Sequence, residues 1–146
     1  MDLRIGLTAV AGAVACGALA ASVELGEMTL PTYMFSDPDP VPKTSADCYP
    51  YFRFDQYAAK PTPKTWKTVT LENDRVRVVV TPEVGGKIWG AFDKETGVDF
   101  VYFNHVAKFR DIAMRGPWCS GGIEFNFGII GHAPSSSTPV DWCVRT

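Results

Sequence analysis

Thr65-Trp-Lys-Thr-Val-Thr-Leu-Glu-Asn-Asp-Arg-Val-Arg-Val-Val-Val-Thr81 is the stretch that decides the fold. Its side chains alternate with period two, the spacing that sends successive residues to opposite faces of a strand. Val69 and Leu71 share one face and Thr68 and Thr70 the other. Glu72-Asn-Asp74 is a short polar turn, after which Val76, Val78 and Val80 are expected inward and Arg75 and Arg77 outward. Two such runs across a tight polar turn predict a β-hairpin. Pro82 lacks an amide donor and ends the pairing.

The pattern continues downstream. Gly85-Gly86 marks a bend, Lys87 to Phe92 a third strand and Val98 to Phe103 a fourth. Asp93-Lys-Glu-Thr-Gly97 joins them as a turn whose glycine accepts positive φ. Ile123 to Ile130 and Val140 to Val144 are further strand candidates, and Asn104 to Met114 reads as irregular or briefly helical. Thirteen glycines and eleven prolines favour strands and turns over long helices. The expected class is all-β, an antiparallel β-sandwich. Residues 65–146 carry it, and residues 22–64 form an extended arm and linker. In that arm Pro38, Pro40 and Pro42 enforce extended backbone, and the aromatic run Tyr49 to Phe54 is placed to clamp it to the domain.

The chain's 146 residues suit one domain, and 46% hydrophobic content allows a packed core. A net charge of −2 without a clustered basic face argues against a nucleic-acid partner. Ile5 to Ala21 is an uncharged run ending near Ala18-Leu19-Ala20, a small-x-small cleavage pattern. Residues 1–21 therefore read as a secretory signal peptide, which predicts a periplasmic or extracellular protein. Two other readings stay open: a lipoprotein signal with Cys16 as the lipidated membrane anchor, and an apolar N-terminal helix packed on the domain. Cys16, Cys48, Cys119 and Cys143 show no zinc spacing, and buried apolar thiols are the simplest reading of them. No metal or cofactor is implied.

Chemistry concentrates in Arg115-Gly-Pro-Trp-Cys-Ser-Gly-Gly-Ile-Glu-Phe-Asn-Phe-Gly-Ile-Ile-Gly-His132. Glycines permit close approach of backbone and ligand, and the aromatics offer flat apolar faces. Donors, acceptors and rings in one stretch are what a sugar site requires. Glu124 and His132 are the candidate catalytic base and acid. Arg115, Trp118, Asn126 and Trp89 are the candidate substrate-binding residues. In an extended strand Glu124 and Asn126 share one face, and Ile123, Phe125 and Phe127 the other. The competing reading is a solvated strand face. A glycosidase needs two carboxylates, and Asp141 is the one nearby candidate for the second.

Three segments carry a family resemblance. They are Leu71 to Trp89, Asp93 to Gly97, and Gly116-Pro-Trp-Cys-Ser-Gly-Gly-Ile-Glu-Phe-Asn-Phe127. Together they resemble an uncharacterised bacterial domain family with a galactose-mutarotase-like supersandwich, found in longer proteins that continue into tetratricopeptide repeats. Glu72-Asn73 and Gly85-Gly86-Lys-Ile-Trp89 are also similar to the opening of aldose 1-epimerases. The resemblance implies an incomplete supersandwich and helical repeats downstream in the full-length protein. It implies a carbohydrate-binding and carbohydrate-processing domain, epimerase-like or glycoside hydrolase-like. The alternative is a non-catalytic module for glycan or protein.

Overall fold

The computed structural model describes residues 21–41, 43–45, 48–112, 116–126 and 131–145. Residues 1–20, with Cys16, and Arg115 lie outside the described residues. Among those described, every regular element is a strand. They are β1 (Ser22–Tyr33), β2 (Lys43–Ser45), β3 (Cys48–Tyr51), β4 (Thr62–Glu72), β5 (Val76–Thr81), β6 (Lys87–Asp93), β7 (Val98–Val101), β8 (Ala107–Lys108), β9 (Arg110–Asp111) and β10 (Pro117–Trp118). Six form one sheet in the order β7-β6-β5-β4-β1-β8, antiparallel except for the β1–β8 pair. β9 and β10 make a separate antiparallel ribbon, as do β2 and β3.

The predicted hairpin is β4–β5, with Glu72 opposite Arg77. Its turn closes because Asn73 Oδ1 accepts the Arg75 and Val76 amides at 2.9 and 2.8 Å, a side chain imitating a backbone turn. Lys94 Nζ braces the same corner, 2.5 Å from Glu72 Oε1. The β6–β7 turn closes as Gly97 N bonds Asp93 O at 2.9 Å.

Ser22–Tyr33, in the expected arm, is β1, the partner of β4 from Ser22 opposite Glu72 to Thr32 opposite Thr62. Two prolines, Pro31 and Pro63, face each other in this ladder. Neither has an amide to give, so they fit only where the ladder needs none. Beyond Tyr33, Phe35 bridges Tyr57 antiparallel and β2 pairs with β3. Ser36 and Asp39 amides bond the Gln56 and Arg53 carbonyls, and Phe54 packs edge-on to Phe35 at 5.5 Å.

The core lies between the large sheet and the β9–β10 ribbon with its flanking loops, a sandwich-like arrangement. Leu30, Trp66 and Trp89 come from the sheet, and Phe109 and Cys119 from the ribbon's flanks. The buried indoles keep their N–H groups satisfied. Trp66 donates to Thr32 Oγ1 at 3.2 Å and Trp89 to Asn104 O at 2.9 Å.

The hairpin's facing differs from expectation. Val79 packs against this core, whereas Val80 looks to the opposite face. That face is apolar too. Val23, Val69, Leu71 and Val80 there line a cavity of about 410 Å3 with Val140 and Trp142. With apolar groups on both faces, alternation alone does not say which face is core. Residues 140–144 are consequently not a strand. They cover part of this second face, held by Val140 N on Pro82 O at 3.0 Å. Likewise only Ile123 of the next candidate strand pairs, in a single bridge with Ile88; residues 124–126 leave the sheet, and 127–130 lie outside the described residues.

Gly97 and Gly122 both hold positive φ, 71° and 65°. A Cβ at Gly97 would meet nothing within 4 Å, but at Gly122 it would overlap the Ile88 carbonyl oxygen. Gly97→Ala is expected to cost only the left-handed strain, about 1–2 kcal/mol. Gly122→Ala should cost at least about 2 kcal/mol more, since backbone has to move. Urea unfolding of the two variants checks this, and equal losses would contradict the close approach.

Candidate functional site

The site is built where β10 and two loops converge. Ile88 and Ile123 exchange two backbone hydrogen bonds, Ile88 N to Ile123 O at 3.1 Å and Ile123 N to Ile88 O at 2.8 Å. This bridge fastens the loop that carries Glu124 to the edge of β6. Ile123 and Phe125 point to solvent, 42% and 58% exposed, and Glu124 turns inward. The expected strand polarity is thus inverted, because the carboxylate finds donors on the inside.

Three donors converge on that carboxylate. Trp118 Nε1 donates to Glu124 Oε2 at 2.9 Å, His132 Nδ1 lies 3.2 Å from the same oxygen, and the Ala133 amide donates to Oε1 at 2.5 Å. The Trp118 and His132 rings meet edge to face at 6.1 Å. His132 adopts φ 52°, a left-handed conformation that costs a non-glycine residue about 1–2 kcal/mol. That strain is held where the Glu124 contacts and the buried Ala133 fix the loop. A histidine whose Nδ1 meets a carboxylate leaves Nε2 as the nitrogen that can exchange a proton outward. Burial pushes the Glu124 carboxyl up, but the Ala133 amide, His132 and Trp118 outweigh it and hold the group below its ordinary value.

Lys87 was not among the sequence candidates. It is 5% exposed, donates through Nζ to Cys119 O at 2.5 Å, and lies 5.4 Å from the centre of the Trp118 ring. Burial pushes its ammonium down from the ordinary lysine value, against the opposing pull of the Glu124 carboxylate. Lys87 therefore fixes the Trp118–Cys119 backbone and backs the indole, while Glu124 holds the indole N–H. Lys87 stands two residues before Trp89 and shares its buried side of β6, which only the fold reveals. The Cys119 thiol, 1% exposed, is pushed up by burial and behaves as core.

Of the sequence candidates, Glu124, His132 and Trp118 meet. Asn126 is exposed and outside the cluster. Trp89 is corrected from a stacking platform to a core residue, 2% exposed with its N–H spent on Asn104 O. Asp141 is exposed on the segment that flanks the cavity, and the described contacts of Glu124 do not include it.

Two comparisons bear on this arrangement. A crystal structure of a TPR-domain containing protein from Parabacteroides distasonis ATCC 8503 superposes with a TM-score of 0.73 at 29% identity. The match covers 86% of this chain and 22% of that one, so the chain spans about a fifth of that protein's length. The family described as "Domain of unknown function (DUF5107)" matches residues 43–146, well over half of the chain. The chain belongs to the DUF5107 family.

Proposed function

We propose that this domain binds a saccharide over Trp118 and exchanges a proton with it through His132 Nε2. The observation that carries the reading is the Trp118–Glu124–His132 cluster. An indole held by its N–H is a rigid apolar platform, and a carboxylate-oriented imidazole beside it is a proton carrier. In this arrangement Glu124 orients His132 rather than acting as the base itself. The cluster contains one carboxylate, which argues against glycoside cleavage by a carboxyl pair; in anomerisation one imidazole can take the anomeric hydroxyl proton and return one to the ring oxygen as the ring C–O bond opens. The sequence likeness to galactose-mutarotase-like and aldose 1-epimerase proteins supports the same direction.

A second reading, a non-catalytic glycan- or protein-binding module, is favoured by a different observation: both Glu124 oxygens already accept hydrogen bonds within the domain. In either case the domain belongs to a longer protein with helical repeats, supported by the likeness to a TPR-domain containing protein. The apolar run at residues 5–21 supports export to the periplasm or cell exterior, by a cleaved signal or a lipid on Cys16.

Polarimetry on freshly dissolved aldoses, beside a glycan-binding screen, separates these readings. The protein is expected to accelerate anomerisation, and His132→Asn to reduce that acceleration about 100-fold or more. Binding without acceleration would leave the module reading standing. Failure to bind any saccharide would end both carbohydrate readings.

The Glu124 site also sets an acid limit. A carboxyl held below its unfolded value stabilises the fold above about pH 4, and that contribution is lost as pH falls through the folded value. Glu124→Gln is expected to be less stable by about 1–3 kcal/mol at pH 7. The gap should close below about pH 4. Glu72 and Asp93 titrate alike in both proteins and cancel in the difference. A gap that stays constant from pH 7 to pH 3 in urea titrations would refute the assignment.

A further inference from the structure

Across the β9–β10 ribbon Trp118 is the Cα partner of Arg110. Directly opposed residues of an antiparallel pair project from the same face, with Cβ atoms about 5 Å apart. The surface next to the Trp118 platform is therefore the surroundings of Arg110.

Those surroundings are aromatic and cationic. The Arg110 guanidinium lies 5.9 Å from the centre of the Tyr33 ring and 5.7 Å from that of Tyr57. Its Nη1 donates to Phe109 O at 2.6 Å, which fixes the direction of the fork. Lys108 Nζ lies over the same Tyr33 ring at 5.2 Å. Among the described residues, neither cation forms an ion pair. The adjacent carboxylate, Asp111, takes the hydroxyl of the same Tyr57 at 2.5 Å. Burial, then the Asp111 bond, hold that phenol protonated.

We propose that Tyr33, Lys108 and Arg110 form a subsite for the anionic group of an acidic saccharide whose neighbouring ring lies on Trp118. A guanidinium has five donors in a planar fork, and among the described residues its hydrogen bond is the one from Nη1 to Phe109 O. Tyrosine rings on the fork restrict its orientation and remove part of its water. The remaining donors then suit a carboxylate or sulfate taken bidentately, with Lys108 as a second positive charge. The sugar ring itself would use Trp118, while Tyr33 backs the two cations, so charge and stacking are offered side by side. The proposal rests on the saccharide reading of the Trp118 site and specifies the class of saccharide.

The test uses three probes of equal length, tetragalacturonate, a 6-O-sulfated galactotetraose and neutral galactotetraose, titrated calorimetrically into the full chain at 50 and 300 mM salt. Wild-type protein is expected to bind at least one acidic probe about tenfold or more tighter than the neutral one, and salt should erode that margin. The Lys108→Gln/Arg110→Gln double variant should lose the margin yet bind galactotetraose within about twofold of wild type. Its amide NMR spectrum would confirm the fold. Which acidic probe wins separates carboxylate from sulfate. Equal affinity for acidic and neutral probes overturns the subsite while leaving the saccharide reading intact. A preference that survives the double variant overturns the assignment to these residues, and absence of binding by all three probes overturns both proposals.

Discussion

The loop that carries Glu124 is fastened to β6 by the double hydrogen bond between Ile88 and Ile123. The contact is possible only because residue 122 has no side chain, since a Cβ there would overlap the Ile88 carbonyl. From that point the chain turns Glu124 inward and leaves Ile123 and Phe125 in solvent. The inversion exposes apolar surface, and hydrogen bonds to an ionised group offset it at about 1.5–3 kcal/mol each. Glu124 collects three such partners, one from β10 and two from the loop at residues 132–133. One carboxylate thus ties together segments that no regular ladder joins.

Legibility in the sequence followed the range of each interaction. The β4–β5 hairpin and the Asp93–Gly97 turn were readable because their causes are local: Asn73 bonds amides two and three residues on, and Gly97 accepts positive φ. The role of Ser22–Tyr33 was not readable, because its partner β4 begins almost thirty residues after β1 ends. Nor could alternation assign faces in β5, where Val79 packs on the core and Val80 on the opposite groove. The cluster of Glu124, Trp118 and His132 was legible as composition, since all three fall in one glycine-rich stretch. Its geometry was not, because the inward turn of Glu124 depends on donors and on a bridge outside that stretch.

Lys87 and Arg110 share a reason for being missed. Each is a cation, for which the default expectation is a solvated head group. Lys87 is instead buried beside Trp89, its charge answered by the Cys119 carbonyl and the Trp118 ring. Arg110 lies between tyrosines that come from β1 and from the loop before β4. In both cases the aromatic partner is distant in sequence, so the pairing exists only after folding.

The way Glu124 is used limits what the site can do. A carboxylate offers about four lone-pair positions, and three are committed to Trp118, His132 and Ala133. At most one remains for a ligand hydroxyl, so Glu124 contributes mainly by fixing its partners. The left-handed backbone of His132 fits this role, because that conformation persists only where surrounding contacts over-determine it. The orientation of the imidazole is then set before any ligand arrives. On the proposed reading, proton exchange runs through the His132 nitrogen that Glu124 leaves free, and the Trp118–Arg110 side of the ribbon sets which ring is presented to it.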